Sequence, residues 1–328
     1  MNIKDMPKVV LHLHLDGSLS VKLAQKWLSD EGEKESLDEV SDELMVKKDC
    51  HSLNDYLTKF ELPCRLLKTA ERLCEATYEL FKKLASEGVC YAEVRFAPLK
   101  HISDNLSLEG AVDSVISGMN KALSEFAIKG GIILCCMRGD SYERNIQIID
   151  MARKKLNVGV CGVDLAGAEA IYPTKDYLDL FYRAKELGIP FTIHAGEAAG
   201  EDSIKSALLL DPSRIGHGVK IIDYPDLIQE FKKRKILLEQ CVSSNYQTEA
   251  VNGKHPIEKL YRLGIAISIN TDNDTVSNTD IIQEYERIIK ETSLDERDIL
   301  LCNYNSINYI FASDEVKNEL RELYSDYL

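Results

Sequence analysis

The stretch Ala184-Lys185-Glu186-Leu187-Gly188, followed by Ile189-Pro190-Phe191-Thr192-Ile193-His194, sets the reading of the whole chain. An amphipathic segment ends at a glycine, the residue that takes the left-handed backbone past a helix end without a side-chain clash. A short apolar run follows, and its length suits a strand. The unit recurs as Leu84-Ala85-Ser86-Glu87-Gly88 before residues 91–96, and as Leu260-Tyr261-Arg262-Leu263-Gly264 before residues 265–270. Residues 9–15, 131–137, 160–164, 214–217 and 236–240 bring the short apolar runs to eight, most of them separated by helical segments. Eight alternating units predict an α/β fold, a closed (β/α)8 TIM-type barrel. The open doubly wound sheet is the alternative, but no G-x-G-x-x-G follows any of these runs. Residues 18–70 add charge-rich helical segments between strands one and two, and residues 279–328 read as helices after the last strand. No Pro/Gly/Ser-rich linker interrupts the chain, so residues 1–328 read as a single domain.

Composition narrows the partners. The 328 residues are 45% hydrophobic and 29% charged, the proportions of a soluble globular protein with a large core. A net charge of −14 repels polyanions, which argues against nucleic acid and anionic membranes. The first eight residues carry no apolar run, no later stretch approaches a membrane span, and the protein is expected in the cytoplasm. Nine cysteines include no C-x-x-C pair, and Cys135, Cys136 and Cys161 lie in apolar stretches, so they read as reduced, buried thiols.

Seven histidines occur, and His12, His14, His194 and His217 fall in or at the ends of predicted strands. In Val10-Leu11-His12-Leu13-His14-Leu15-Asp16-Gly17, alternation places His12 and His14 on one face, where two imidazoles can grip one metal ion. Taken alone, H-x-H reads better as two hydrogen-bonded core histidines. Three further strand ends change that balance: Ile193-His194-Ala195-Gly196-Glu197, Ile215-Gly216-His217-Gly218 and Ile269-Asn270-Thr271-Asp272. In a barrel all strand carboxyl ends share one rim, so these residues converge into a nitrogen and oxygen site suited to zinc. Such an ion would draw the pKa of a bound water toward neutrality. Glu197, just past His194 on a tight turn, is placed to move a proton rather than to ligate. His217 reads either as a fourth nitrogen ligand or as a non-ligating base that orients the attacking water.

With these residues in hand, the chain resembles the adenosine deaminase family. The motifs are His12-x-His14-Leu15-Asp16-Gly17, Asp164-Leu165-Ala166-Gly167-x-Glu169, His194-Ala195-Gly196-Glu197, Gly216-His217-Gly218 and Asn270-Thr271-Asp272, and the likeness spans residues 8–278. The resemblance implies one Zn2+ per chain, held by His12, His14, His194 and Asp272. It implies Glu197 as a protonated donor to purine N1, a role that requires a raised pKa. It implies His217 as the non-ligating base that steers water onto C6. For the substrate it implies a small-molecule purine nucleoside, adenosine and also 2′-deoxyadenosine, hydrolysed to inosine and ammonia. His14 would border that substrate, Gly167 would offer its N–H to N3, and Asp16 would hold the ribose 5′-hydroxyl. Two positions depart from the family pattern: Ala168 often has an acidic counterpart, and Asn273 often an aspartate facing N7. An asparagine amide donates to N7 without the protonation an aspartate needs.

Leu53, Tyr56, Leu57 and Phe60 recur at helical spacing, which reads as a packing stripe; the resemblance makes them an apolar lid over the ribose. Arg95 and Arg138 close two strands and are expected in ion pairs. His51, His101 and His255 are expected at the surface or at helix starts. Lys232 to Lys235 read as a solvated helix end, and Ser243-Ser244 as a pocket wall by resemblance. The competing functions are deamination of free adenine or of a modified adenosine nucleoside and, from another class, a zinc-retaining binding or signalling barrel. The presence of both Glu197 and His217 argues against the last.

Overall fold

The computed structural model describes residues 2–47, 50 and 52–328; His51 therefore lies outside the described residues. Eight parallel strands form two four-stranded arcs: β1 (Lys8–His14), β2 (Val89–Phe96), β3 (Lys129–Met137) and β4 (Val160–Ala166), then β5 (His194–Ala195), β6 (Arg214–His217), β7 (Leu237–Gln240) and β8 (Ala266–Ile269). Between β1 and β2 lie α1 (Val21–Asp30), α2 (Leu37–Leu44), α3 (Leu53–Thr58), α4 (Glu61–Leu66) and α5 (Ala70–Ser86). The next crossovers carry α6 (Leu108–Glu125), α7 (Tyr142–Lys155), α8 (Leu178–Glu186), α9 (Glu201–Leu209) and α10 (Pro225–Arg234). After β7 come α11 (Val242–Gln247) and α12 (Ile257–Arg262), and after β8 come α13 (Ile281–Glu291), α14 (Glu296–Ser306) and α15 (Asp314–Leu323). The predicted barrel, with its insertion after the first strand and its terminal helices, is the observed fold.

Hydroxyl side chains start several of these helices. Thr69, Ser107 and Ser141 accept from the backbone N–H three residues on, satisfying a donor that helix geometry leaves open at α5, α6 and α7. At the other end of α10, Lys232 to Lys235 are exposed as expected, where cations suit the helix dipole. Among the described residues no helix is long and apolar enough to cross a membrane.

Two seams join the arcs, and both depend on unusual donors or acceptors. Between β4 and β5 the ladder shrinks to Val163 N–H donating to Pro190 O (3.0 Å) and Thr192 N–H donating to Val163 O (3.1 Å). Pro190 has no N–H to give, which explains why the predicted run at 189–194 keeps only His194–Ala195 as ladder. Between β8 and β1, His14 N–H donates to Asp272 O (2.7 Å) and Asp272 N–H to His12 O (3.1 Å). Deeper in that seam the Asn270 side chain replaces a backbone carbonyl. Its Oδ1 accepts from the N–H groups of Leu11 (2.7 Å) and His12 (3.0 Å), while its amide donates to Ser268 Oγ (2.9 Å). From α14, Asn303 Oδ1 accepts from Val9 N–H (2.8 Å) at the opposite end of β1.

Replacing Asn270 by alanine strands two buried N–H groups without an acceptor. At about 1–3 kcal/mol each, the expected loss is roughly 2–6 kcal/mol, with Asn270→Asp recovering part of it. Chemical denaturation measures this, and a shift below about 1 kcal/mol would show that the seam closes without that side chain.

Candidate metal centre and active site

The carboxyl rim of the barrel brings the predicted residues together from β1, β5, β6 and the turn after β8. His14 Nε2 lies 3.3 Å from His194 Nε2, while Asp272 Oδ1 lies 3.2 Å from His12 Nε2 and 3.5 Å from His14 Nε2. Candidate ligand atoms fall into two overlapping sets, each within 4.8 Å: His12, His194, His217 and Asp272, and His14, Asp164 and His194.

The rings are aimed from behind. His12 Nδ1 donates to Glu239 Oε2 (2.9 Å), so its proton sits on Nδ1 and its Nε2 lone pair points inward. His194 Nδ1 faces Asp164 Oδ2 at 2.9 Å. Both carboxylates converge on Arg95, which donates from Nη1 to Asp164 Oδ2 (2.9 Å) and from Nη2 to Glu239 Oε2 (2.9 Å) and Leu11 O (2.6 Å). Arg214 adds ion pairs with Glu239 (2.9 Å) and Glu93 (2.6 Å). Burial opposes ionisation of Asp164 and Glu239, but His194 and Arg95 for the first, and the two arginines for the second, hold both carboxyls below their usual range. Burial pushes the His14 imidazole down to about 4 and lowers those of His12 and His194. The rings are thus neutral and ready to ligate. Asp272 is held well below the usual carboxylate range, burial being outweighed by His12 and its neighbours.

These donors fit a cation. His12 Nε2 is buried with no hydrogen-bond partner, and its lone pair faces a carboxylate oxygen. Electron pair against electron pair in a dry site costs free energy unless positive charge lies between them. Nitrogen and carboxylate ligands suit zinc.

The backbone at the rim is strained at two site residues. His217 (φ 57°) and Asp272 (φ 64°) both adopt the left-handed region, which side chains other than glycine rarely occupy. Gln240 holds the first by donating its amide to His217 O. Ser244 holds the second, its hydroxyl donating to Asp272 Oδ2 (2.6 Å). The two serines expected as a pocket wall do not line the main cavity; Ser244 stands behind Asp272 instead.

Glu197 is buried, and Thr248 Oγ1 donates to its Oε1 at 3.0 Å. Its Oε2 lies 3.7 Å from His217 Nε2. The loop that carries it hangs on Glu169, whose carboxylate accepts from the N–H groups of Gly196 (2.7 Å), Glu197 (3.0 Å), Ala198 (2.7 Å) and Ala199 (2.9 Å), and from Ser203 Oγ (2.5 Å). Gly196 is required here: at φ 78°, a Cβ would also stand 2.8 Å from Ile204.

A cavity of about 280 Å³ opens over this cluster. The polar residues His14, Asp16, Glu197, His217, Asp272 and Asn273 line it together with Gly167 and the apolar Leu53, Tyr56, Leu57 and Phe60. The last four do not form one helical stripe, because α3 ends at Thr58 and Phe60 opens α4. Tyr56 Oη is pinned to Ser277 Oγ at 2.6 Å. Gly17 lies so close to Asn273 that a Cβ would fall 1.8 Å from Oδ1, so glycine there is what lets Asn273 into the cavity wall.

Two expectations need correction. His101 is fully buried, not at the surface: the single turn Pro98–Lys100 tucks it under the rim, where Nε2 meets Asp16 Oδ2 at 3.1 Å. Ala97 N–H donates to the same oxygen (3.2 Å), and Asp16 Oδ1 is buried with no partner among the described residues. Burial raises the Asp16 carboxyl, but His101 outweighs it and the net shift is downward. His255 stands at the start of α12, one of the two expected places, but it is buried rather than at the surface, its Nε2 3.1 Å from Asn245 Oδ1. Arg138 has no carboxylate partner among the described residues: it donates to Tyr172 O (2.6 Å), Thr174 Oγ1 (2.9 Å) and His194 O (2.7 Å), bracing the β5 end. Arg95, by contrast, is the ion-paired residue expected. Glu239 falls in the predicted strand 236–240 and Glu169 in the quoted motif, but neither carried a role there, and Thr248 and Asn245 belong to no pattern in the sequence.

A His/Asp metal-binding group on the carboxyl rim of a parallel barrel, beside a buried carboxyl, defines a hydrolase of the TIM-barrel amidohydrolase class. Comparison with known proteins makes the class specific. The adenosine deaminase family model matches residues 7–327. The chain is 37% identical over 327 residues to the adenosine deaminase of Clostridium perfringens, covering 98% of each. Its fold matches the adenine deaminase of Arthrobacter aurescens (TM-score 0.90, 24% identity, 98% and 99% of the two chains). It also matches the Arabidopsis N6-mAMP deaminase (TM-score 0.88, 25% identity, 99% of each chain). The chain belongs to the adenosine deaminase family.

Asp164→Asn removes the charge facing His194 without changing shape. Metal affinity, read by competition with a chromogenic chelator, is expected to fall about 10–100-fold while the folded state persists. Unchanged affinity would show that ring orientation does not depend on Asp164.

Proposed function

We propose that this chain hydrolyses adenosine, and 2′-deoxyadenosine, to the corresponding inosine nucleoside and ammonia, with one zinc ion per chain held by His12, His14, His194 and Asp272. One observation carries the reading. A single cavity is lined both by residues of the His/Asp cluster with buried Glu197 and by Asp16, whose Oδ1 has no hydrogen-bond partner among the described residues. That puts a polar reaction site and a hydroxyl-binding carboxylate in one cavity.

Zinc in that cluster would supply the Lewis acidity that makes water nucleophilic at neutral pH. The protein's own groups do the rest. Water adds across the C6–N1 double bond: its oxygen bonds C6, N1 takes a proton from the Glu197 carboxyl, and the proton that the water gives up recharges that carboxyl. The C6 hydroxyl proton then passes to the amino group as the C6–N bond breaks, C6=O forms and ammonia leaves. Glu197 gives the proton to N1; Thr248 occupies Oε1 and so leaves Oε2 for the ring. His217 holds the attacking water on the C6 side. Gly167 offers its N–H to N3 and the Asn273 amide donates to N7, where an aspartate would first have to be protonated. Asp16 Oδ1 accepts the ribose 5′-hydroxyl, with His101 and Ala97 holding the other oxygen still. Leu53, Tyr56, Leu57 and Phe60 cover the sugar and exclude water.

Deamination of free adenine or of a modified adenosine is the second reading, since the same catalytic groups would serve it. The lid and Asp16 favour a nucleoside, because free adenine would leave both without contact.

Ammonia release over adenine, adenosine, 2′-deoxyadenosine, AMP and N6-methyl-AMP tests the proposal. The two unmodified nucleosides are expected to have the highest kcat/KM, and a preference for adenine or a nucleotide would overturn it. Glu197→Gln, which keeps the hydrogen bond but not the transferable proton, should retain metal and lose roughly two to four powers of ten in kcat. Phe60→Ala should raise KM more than it lowers kcat, because lid contacts are mostly uniform binding.

A further inference from the structure

Resting on this deaminase reading, we infer that Asn245 and His255 form a hydrogen-bond relay that fixes His217 as its Nε2–H tautomer, so that His217 meets the reacting water as a hydrogen-bond donor. One backbone N–H fixes the direction of the first bond in this relay. Ile257 opens α12, and its N–H, one of those that helix geometry leaves open, donates to His255 Nδ1 at 3.2 Å. A backbone N–H can only donate, so His255 Nδ1 carries no proton.

His255 is buried in the wall behind the site, and burial pushes its imidazole down to about 3, so the ring is neutral. A neutral ring with a bare Nδ1 has its proton on Nε2. That nitrogen lies 3.1 Å from Asn245 Oδ1 and donates to it. The Asn245 amide is thereby oriented. Were it reversed, its –NH2 would point at His255 Nε2, and a neutral ring would have to accept at both nitrogens, which it cannot do.

With Oδ1 toward His255, Asn245 Nδ2 faces His217 Nδ1 at 2.9 Å. An amide –NH2 only donates, so His217 Nδ1 accepts and the neutral ring bears its proton on Nε2, the nitrogen on the Glu197 side. The direction of three hydrogen bonds is therefore set by the first amide of a helix. A metal ligand needs a lone pair, and His217 has none to offer at Nε2 in this tautomer. This separates His217 from His12, whose proton is on Nδ1 and whose Nε2 is bare. Two neighbouring histidines hold opposite tautomers because one is backed by a carboxylate and the other by an amide. Asn245 and His255 touch no reacting atom in this scheme; they are positioning residues that act through His217.

The test uses zinc-loaded, full-length protein labelled with 15N-histidine, with the His217 signals assigned by their loss in His217→Gln. Wild type should show an unprotonated Nδ1 and a protonated Nε2 at His217; the reverse pattern overturns the proposal. Asn245→Asp puts an acceptor opposite Nδ1 and should move the proton there, with kcat falling roughly ten- to a hundredfold while KM and zinc content stay within about threefold. An unchanged nitrogen pattern and unchanged kcat in that variant would also overturn it. His255→Gln keeps an N–H for Asn245 and should retain most of kcat, whereas His255→Leu should lose as much as Asn245→Asp. Equal losses in both His255 variants, tracking only their melting temperatures, would mark the relay as structural. If Asn245→Asp does not fold, the wild-type spectrum and the His255 pair decide. Should wild type release no ammonia from any nucleoside, the deaminase reading fails while the nitrogen signals still report the tautomer.

Discussion

The site depends on one buried guanidinium. Arg95 reaches from β2 across the inside of the barrel and joins Asp164 of β4 to Glu239 of β7, and these two carboxylates face the rear nitrogens of His194 and His12. Without the cation, two carboxylates with no measurable exposure would be desolvated close together, and neither could remain ionised without large cost. With it, both stay charged and both aim an imidazole. Arg214 extends the same arrangement to Glu93, and the Phe311 ring, 3.7 Å from its guanidinium carbon, covers it. Such buried ion pairs return little net stability relative to a packed apolar core. What they provide here is direction, since a ring backed by a carboxylate has one tautomer and one orientation.

Above this charged floor, the working groups sit on backbone that is not regular strand. His217 and Asp272 occupy left-handed conformations, and the Glu197 loop has four successive N–H groups turned toward one carboxylate, Glu169. Strained or irregular backbone persists only where its surroundings over-determine it. Each case has its brace: Gln240 on the His217 carbonyl, Ser244 on the Asp272 carboxylate, Glu169 and Thr248 on the Glu197 segment. A rigid barrel thus carries loop-end chemistry at fixed spacing, as barrel enzymes generally do.

The cavity differs in character along its length. One end is polar and dry, with hydrogen bonds that leave few alternatives. The other is built from short helices α3 and α4, where partly exposed Leu53, Leu57 and Phe60 line the opening beside Tyr56, which Ser277 pins, while α4 buries Leu62 and Leu66 in the core below. A well-braced reacting end under an apolar cover is what water exclusion requires.

Local patterns determined a good deal. The period-two spacing of His12 and His14, the glycine-punctuated helix and strand units, and histidines or aspartate at four strand ends were enough for the barrel and for the residues that meet at its rim. Periodicity reports which face a side chain takes within its own element, and barrel closure converts that into a shared rim. The second set of partners lay outside that logic. Arg95 with Glu239, Glu169 with the Glu197 loop, and Asn245 with His217 are pairs 144, 27 to 30, and 28 residues apart whose contact depends on three-dimensional closure. His101 and His255 sit in aperiodic turns beside prolines, so nothing in the sequence marks them as interior, and only the folded chain shows that one steadies Asp16 and the other faces Asn245. The sequence decided which residues reach the site; the tertiary structure decided which way each of them points, because orientation is set by hydrogen-bond partners that no local spacing records.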